Sequence, residues 1–303
     1  MSQSEIDHVR AFLAQTPANL SQDELRAAYD GIGAAFPTPP DVVLETIEIG
    51  GTPAEWSTAP GAAGDRAILY LHGGGYVIGS IASHRHLAAA LGRAAKARVL
   101  SLGYRLAPEH PFPAAANDAL AGYRFLLESG FAPGHIAVAG DSAGGGLTVA
   151  TLVAIRDAGL AQPACGFCIS PWVDLEGLGA SMTLKAAEDP MVQLEGLSGM
   201  ASAYLAGASP RTPLAAPLHA DLKGLAPLLI HVGSAETLLD DATRLAAAAA
   251  HAEVEVRLEA WPRMIHVWHF FHPMLTEGRR AIASAGDYIS DRMDEADSLS
   301  AAA

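Results

Sequence analysis

An α/β fold, with a mostly parallel sheet covered by helices on both faces, is predicted by three observations. From Arg66 onward, short apolar runs alternate with helical stretches, the rhythm of strands joined by crossover helices. Half of the 303 residues are hydrophobic and only 17% are charged, so one domain of this class has a large core available. Two strand-like runs end in glycine-rich turns, His72-Gly73-Gly74-Gly75 and Gly140-Asp141-Ser142-Ala143-Gly144.

The elements follow in order. Residues 5 to 36 carry two helical patterns, the second with Ser21 as N-cap and Glu24 completing a capping box. Phe36-Pro37-Thr38-Pro39-Pro40 breaks that helix and starts an extended segment. Strand-like alternation runs over Val42 to Ile49 and Ala54 to Ser57, with Gly50-Gly51 as the turn between them. Strands are then expected at Ala67 to Leu71, Arg98 to Leu102, His135 to Ala139, Ala164 to Ser170, Leu228 to Val232 and Glu253 to Leu258. Helices are expected at Ser83 to Ala95, Ala114 to Glu128 and Ala143 to Ala158. Residues 174–217 interrupt the rhythm with short helix-like pieces, and an insertion of that length folds over a site or forms a partner surface. Together with residues 1–40 it is expected to build a cap on a catalytic domain of residues 41–173 and 218–303. Residues after Asp294 read as frayed.

Composition excludes several partners. A formal charge of −14 argues against nucleic acid and anionic membranes. The start of the chain lacks the positive and apolar regions of a signal peptide, and no run approaches the ~18 apolar residues of a membrane helix. A cytoplasmic protein is expected. Cys165 and Cys168 form C-x-x-C, but lie on a strand-like run where positions three apart face opposite sides, and no second pair completes a zinc site. Buried structural thiols are the favoured reading.

The chemistry is concentrated in the two glycine turns. Gly140 to Gly144 matches G-x-S-x-G, in which a serine on a tight strand-to-helix turn has its hydroxyl exposed. The alternative, a phosphate-binding turn, lacks the G-x-x-x-x-G-K-[ST] and G-x-G-x-x-G spacings and places Asp141 against an anion. His72 to Gly75 supplies backbone N–H groups suited to an oxyanion. A serine hydroxyl needs a base, and the base an acid to orient it. In this fold template the acid comes from Gly233-Ser234-Ala235-Glu236-Thr237-Leu238-Leu239-Asp240-Asp241, and the base from Trp261 to His269.

These motifs, with Tyr104-Arg105-Leu106-Ala107-Pro108-Glu109-His110 and Asp189-Pro190-Met191, resemble the hormone-sensitive-lipase-like branch of the α/β-hydrolases, the bacterial family IV esterases, over about Val42 to Arg280. The resemblance implies an α/β-hydrolase fold with a small helical cap. It implies Ser142 as nucleophile, His266 as base, and the N–H groups of Gly73, Gly74 and Ala143 as oxyanion hole. Glu236 stands where the family more often has Asp. It is favoured as the acid for lying directly past the strand end, with Asp240 and Asp241 as rivals in a helix N-terminal turn.

Other residues receive expected roles. His72 anchors its loop, Arg105 and Glu109 pair to brace it, and Asp141 braces the elbow. Trp172 and Trp268 either line the pocket or pack in the core. His266, His269 and His272 have the spacing H-x-x-H-x-x-H, but without a motif such as H-E-x-x-H no metal is expected. The expected reaction is hydrolysis of short-acyl carboxylic esters without cofactor. The alternatives are another acyl hydrolase or transferase, acting on lactones, amides or acetyl groups, and a ligand-binding protein like the plant gibberellin receptors, which lack the catalytic histidine. A homodimer through an exposed last strand is a further expectation.

Overall fold

The computed structural model describes residues 3–15 and 20–302. Helices α1 (Gln3–Leu13) and α2 (Gln22–Ala34) precede the sheet, and Ser21 with Glu24 forms the capping box at the start of α2. Strands β1 (Val43–Ile49), β2 (Thr52–Thr58) and β3 (Ala63–Leu71) lead to α3 (Ile81–Ala95), β4 (Ala97–Leu102) and α4 (Ala114–Glu128). Then come β5 (Ile136–Asp141), α5 (Ala143–Asp157) and β6 (Cys165–Ile169). The inserted segment holds α6 (Ser181–Leu184) and α7 (Leu194–Leu205). The chain closes with β7 (Leu228–Gly233), α8 (Leu239–His251), β8 (Val256–Trp261) and α9 (Thr276–Ala302).

The eight strands form one sheet in the order β1-β2-β4-β3-β5-β6-β7-β8. The β1–β2 and β2–β4 pairs are antiparallel, and every other pair is parallel. Strand alternation divides the interior in two. In β3, Leu69 and Leu71 face a core covered by α4, α5 and α8, while Ile68 and Tyr70 face one covered by α3 and α9. The central strands are apolar throughout because both faces are covered. Cys168 and Cys165 fall in these two cores respectively, both buried and unbridged, as their spacing on a strand predicts.

Some expectations are corrected. The last helix continues past Asp294 to Ala302, held where Asp294 and Asp297 both accept from Arg66 and Asp297 meets His135. The last strand runs Val256–Trp261, displaced toward the C-terminus from the expected Glu253 to Leu258. Arg105 does not pair with Glu109. It pairs with Asp118 of α4, while Glu109 takes both guanidinium ends of Arg26 from α2, each at 2.8 Å. Both Trp172 and Trp268 are fully buried in the cores, so packing is their role.

Candidate active site

Strand β5 and helix α5 meet at Ser142, whose backbone lies at φ 53° and ψ −119°. An L residue rarely adopts this conformation, and here three hydrogen bonds enforce it. Ser142 N–H donates to Ile169 O, while Ser142 O accepts from Gly146 and Trp172 N–H. Close packing explains the flanking glycines. A Cβ on Gly140 would lie 2.3 Å from Gly144 O, and one on Gly144 would lie 2.0 Å from Leu71 O. The helix therefore starts directly against β3, and the serine stands at the carboxyl end of the sheet, where open α/β sheets bind ligands.

Ser142 Oγ donates to His266 Nε2 at 2.9 Å, and His266 Nδ1 donates to Glu236 Oε2 at 2.9 Å. Glu236 Oε1 also accepts from Gly233 N–H at 2.7 Å, which fixes the carboxylate just past β7. All three side chains are buried. Burial alone would lower the pKa of His266, but the Glu236 bond and charge, with Asp189 and Asp141 nearby, raise it above the ordinary value. The rivals for the acid face elsewhere. Asp241 accepts from Val173 and Asp174 N–H, each at 3.0 Å, and Asp240 accepts from Ser181 N–H.

The other histidines of the H-x-x-H-x-x-H run take separate partners. His269 Nε2 meets His231 Nδ1 at 3.0 Å, and His272 stacks on His86. Elsewhere, ligand atoms of Asp174, Glu176 and His219 lie within 4.8 Å of one another, but Arg244 and Arg211 already neutralise the two carboxylates.

The loop after β3 corrects one site residue. Gly73 N–H donates to Asp141 Oδ1 at 3.1 Å and is thereby engaged away from the site. The N–H groups of Gly74 and Gly75 have no protein acceptor among the described residues, and both glycines line the pocket beside Ser142. Gly74 holds φ 115°, and a Cβ there would lie 2.2 Å from Ile78 O, so this turn requires glycine. Asp141 thus braces the loop as well as ending β5. Its carboxylate also accepts from Tyr70 Oη at 2.7 Å and from His84 Nε2 at 3.2 Å. Burial opposes that charge, yet His84 and Tyr70 outweigh it and lower the pKa. His72 anchors the loop as expected, donating from Nδ1 to Gly73 O at 2.7 Å and stacking on Tyr104.

A pocket of about 120 Å³ leads to Ser142 and His266. Its roof comes from the inserted segment, through Met191, Val192, Leu197 and Met200. Tyr29 of α2 closes another side, so the N-terminal helices contribute to the wall. Sequence patterns did not single out Tyr29 or Met200, and within the H-G-G-G run they pointed to Gly73 and Gly74 rather than Gly75. The extra glycine in the H-G-G-G run was the one available signal.

Residues 68–270 match the family model described as the alpha/beta hydrolase fold. An acetyl-hydrolase of Streptomyces hygroscopicus is 52% identical over 273 residues, covering 90% of this chain and 89% of that protein. An esterase of Acinetobacter venetianus is 31% identical over 277 residues, covering 90% and 91%. Among solved structures, EstE5 soaked with p-nitrophenyl butyrate superposes with a TM-score of 0.93 at 46% identity, covering 97% of this chain and 100% of that one. An esterase from the bacterial hormone-sensitive lipase family gives 0.94 at 48% identity, covering 97% and 99%. With the strained serine, the pocket and the sheet order already in place, the chain belongs to the α/β-hydrolase family and, within it, to the hormone-sensitive-lipase-like esterases.

Proposed function

We propose that the protein is a carboxylesterase acting on short-acyl esters through a Ser142–His266–Glu236 triad. The observation that carries this reading is the continuous chain of hydrogen bonds from Ser142 Oγ through His266 to Glu236 at the base of the pocket. His266 Nε2 takes the proton as Ser142 Oγ attacks the ester carbonyl. The carbonyl oxygen becomes an oxyanion that receives N–H bonds from Gly74, Gly75 and Ala143. Collapse breaks the C–O bond, and His266 returns the proton to the departing alcohol. Water then attacks the acyl-serine with the same base and releases the acid. Every proton passes through His266, so the cycle needs no cofactor.

A short acyl group suits a pocket roofed by Leu197 and Met200, where Met200 Sδ lies only 2.1 Å from the point a Cβ on Gly75 would occupy. The acetyl-hydrolase relative agrees with that size. Among the described residues no helix is long and apolar enough to cross a membrane. A cytoplasmic location and a homodimer through the β8 edge complete the reading, since β8 ends the sheet with one side unpaired.

A chromogenic acetate ester, assayed with wild type and Ser142→Ala, tests the proposal. The variant should lose about 10⁴–10⁶ in kcat, and a fluorophosphonate should label only Ser142 in the wild type. Full activity in Ser142→Ala, or an adduct on another serine, would sink the mechanism. Lengthening the acyl chain from acetate to decanoate should lower kcat/KM, and equal rates would remove the short-acyl assignment.

A further inference from the structure

The inserted segment does more than roof the pocket. Asp189, nearly fully buried, uses its two carboxylate oxygens on two different parts of the site. Oδ1 accepts from Met191 and Val192 N–H at 2.9 and 3.0 Å, and these residues form part of the pocket wall. Oδ2 accepts from Thr237 N–H at 2.8 Å and Thr237 Oγ1 at 3.1 Å. Thr237 immediately follows Glu236. Its carbonyl is also held from the insertion, accepting from Ser181 Oγ at 2.6 Å, and its hydroxyl lies 3.3 Å from Val192 O. The N–H, hydroxyl and carbonyl of the residue beside the proposed acid are therefore all bound by residues 181–192.

We propose that Asp189 is a positioning residue that sets the catalytic acid through Thr237, so that Glu236 is aligned on His266 only when the insertion is seated over the pocket. This rests on the triad reading above. A buried carboxylate accepting several N–H and O–H bonds is a strong, directional clamp, and this one holds the acid loop and the pocket wall together. Its negative charge also acts on the base. The charged groups facing His266 are Glu236 from the loop after β7, Asp189 from the insertion and Asp141 from the end of β5, and all three favour the imidazolium.

Asp189→Asn preserves size but removes the charge and turns an NH₂ toward donors. Activity per active site, counted by fluorophosphonate titration, should fall about 10- to 100-fold in kcat, the loss expected for charge-assisted bonds, with KM for a short acetate ester changing less than about threefold. The acid limb of kcat/KM should move to lower pH, because removing an anion beside His266 makes its protonated form harder to reach. A merely structural loss would reduce the number of titratable sites and leave both the limb and the rate per site unmoved, and that result overturns the proposal. Thr237→Val removes the hydroxyl while leaving the charge, and should lower kcat severalfold with the limb in place. Should Asp189→Asn fail to fold, this variant carries the test, and unchanged kcat overturns the proposal. Glu236→Gln is measured alongside. Full activity there would overturn the triad reading and this proposal together, whereas impaired Glu236→Gln with an unmoved Asp189→Asn profile overturns the proposal alone.

Discussion

Glu236 is a fully buried carboxylate with one oxygen on Gly233 N–H and the other on His266, so its charge is held in a single direction. Glu236→Gln retains the shape but favours the wrong imidazole tautomer, and kcat should fall about 10²–10⁴-fold. Asp240→Asn and Asp241→Asn should each cost less than about tenfold, because their oxygens tie the inserted segment rather than the base. Circular dichroism on each folded variant, with kcat for an acetate ester, decides the assignment. Since only neutral His266 accepts a proton and its pKa is raised, kcat/KM should fall on acidification with an apparent pKa above the ordinary 6.5. A limb well below 6.5 would contradict the geometry around the ring. At this scale the sequence was legible wherever a residue's place followed from a strand end, as for Ser142, Glu236 and His266. It was not legible where partners come from distant segments. Arg105 stood four residues from Glu109, yet Asp118 and Arg26 are the partners, and Gly73 N–H is taken by Asp141 across 68 positions.

Helix α5 shows how an element places a site. Gly140, Gly144 and Gly146 let it start against β3 and the Trp172 backbone, where a Cβ on Gly146 would stand 2.1 Å from Trp172 O. Gly144→Ala should therefore push the elbow off β3. Stability should fall by about 1–3 kcal/mol or more, read from denaturant midpoints, with activity lost beyond what unfolding explains. A variant with wild-type stability and rate would show that the contact yields easily. The strands and core helices were readable from apolar runs because both sheet faces are covered. The end of helix α9 was read as frayed because its last turns are polar and alanine-rich, and its order comes from Arg66 and His135, on β3 and just before β5. The segment holding α7 and Asp189 was readable as an insertion that caps the site, but the bonds from Asp189 to Thr237 were not, because they join positions 48 residues apart.

At the scale of the whole molecule, five buried or half-buried imidazoles are held toward the neutral form. Burial lowers His72, His86 and His272 to about 4, and lowers His231 and His269 as well. In the unfolded chain these groups titrate near 6.5. The native pKa is the depressed one, so their contribution is complete above about 6.5 and is lost as pH falls toward about 4. Each such group can contribute up to ~1.4 kcal/mol per pH unit across that window. Tm should therefore fall steeply from pH 6.5 to 4.5, while the loss of turnover from His266 protonation reverses on neutralisation. A flat Tm over that range would mean these rings are protonated in the native state. The α/β architecture was legible from periodicity alone, because alternation of strand and helix is a property of neighbouring residues. The division of the core into two sides became visible only with the sheet order.

That division gives the chain a built-in pair of reporters. Cys165 lies in the core beneath α3 and α9, and Cys168 in the core beneath α4, α5 and α8, on opposite sides of one strand. Burial pushes the Cys165 thiol up to about 12 and raises Cys168 further, so neither is a reactive thiolate in the native fold. A thiol-modifying reagent should thus label neither in the folded protein, and partial denaturation followed by peptide mapping reads each side separately. Equal labelling rates would indicate that the two layers open together. If Cys168 reacts first, the α4–α5–α8 layer, which carries the helix that starts at the Ser142 turn, peels away while the opposite layer holds.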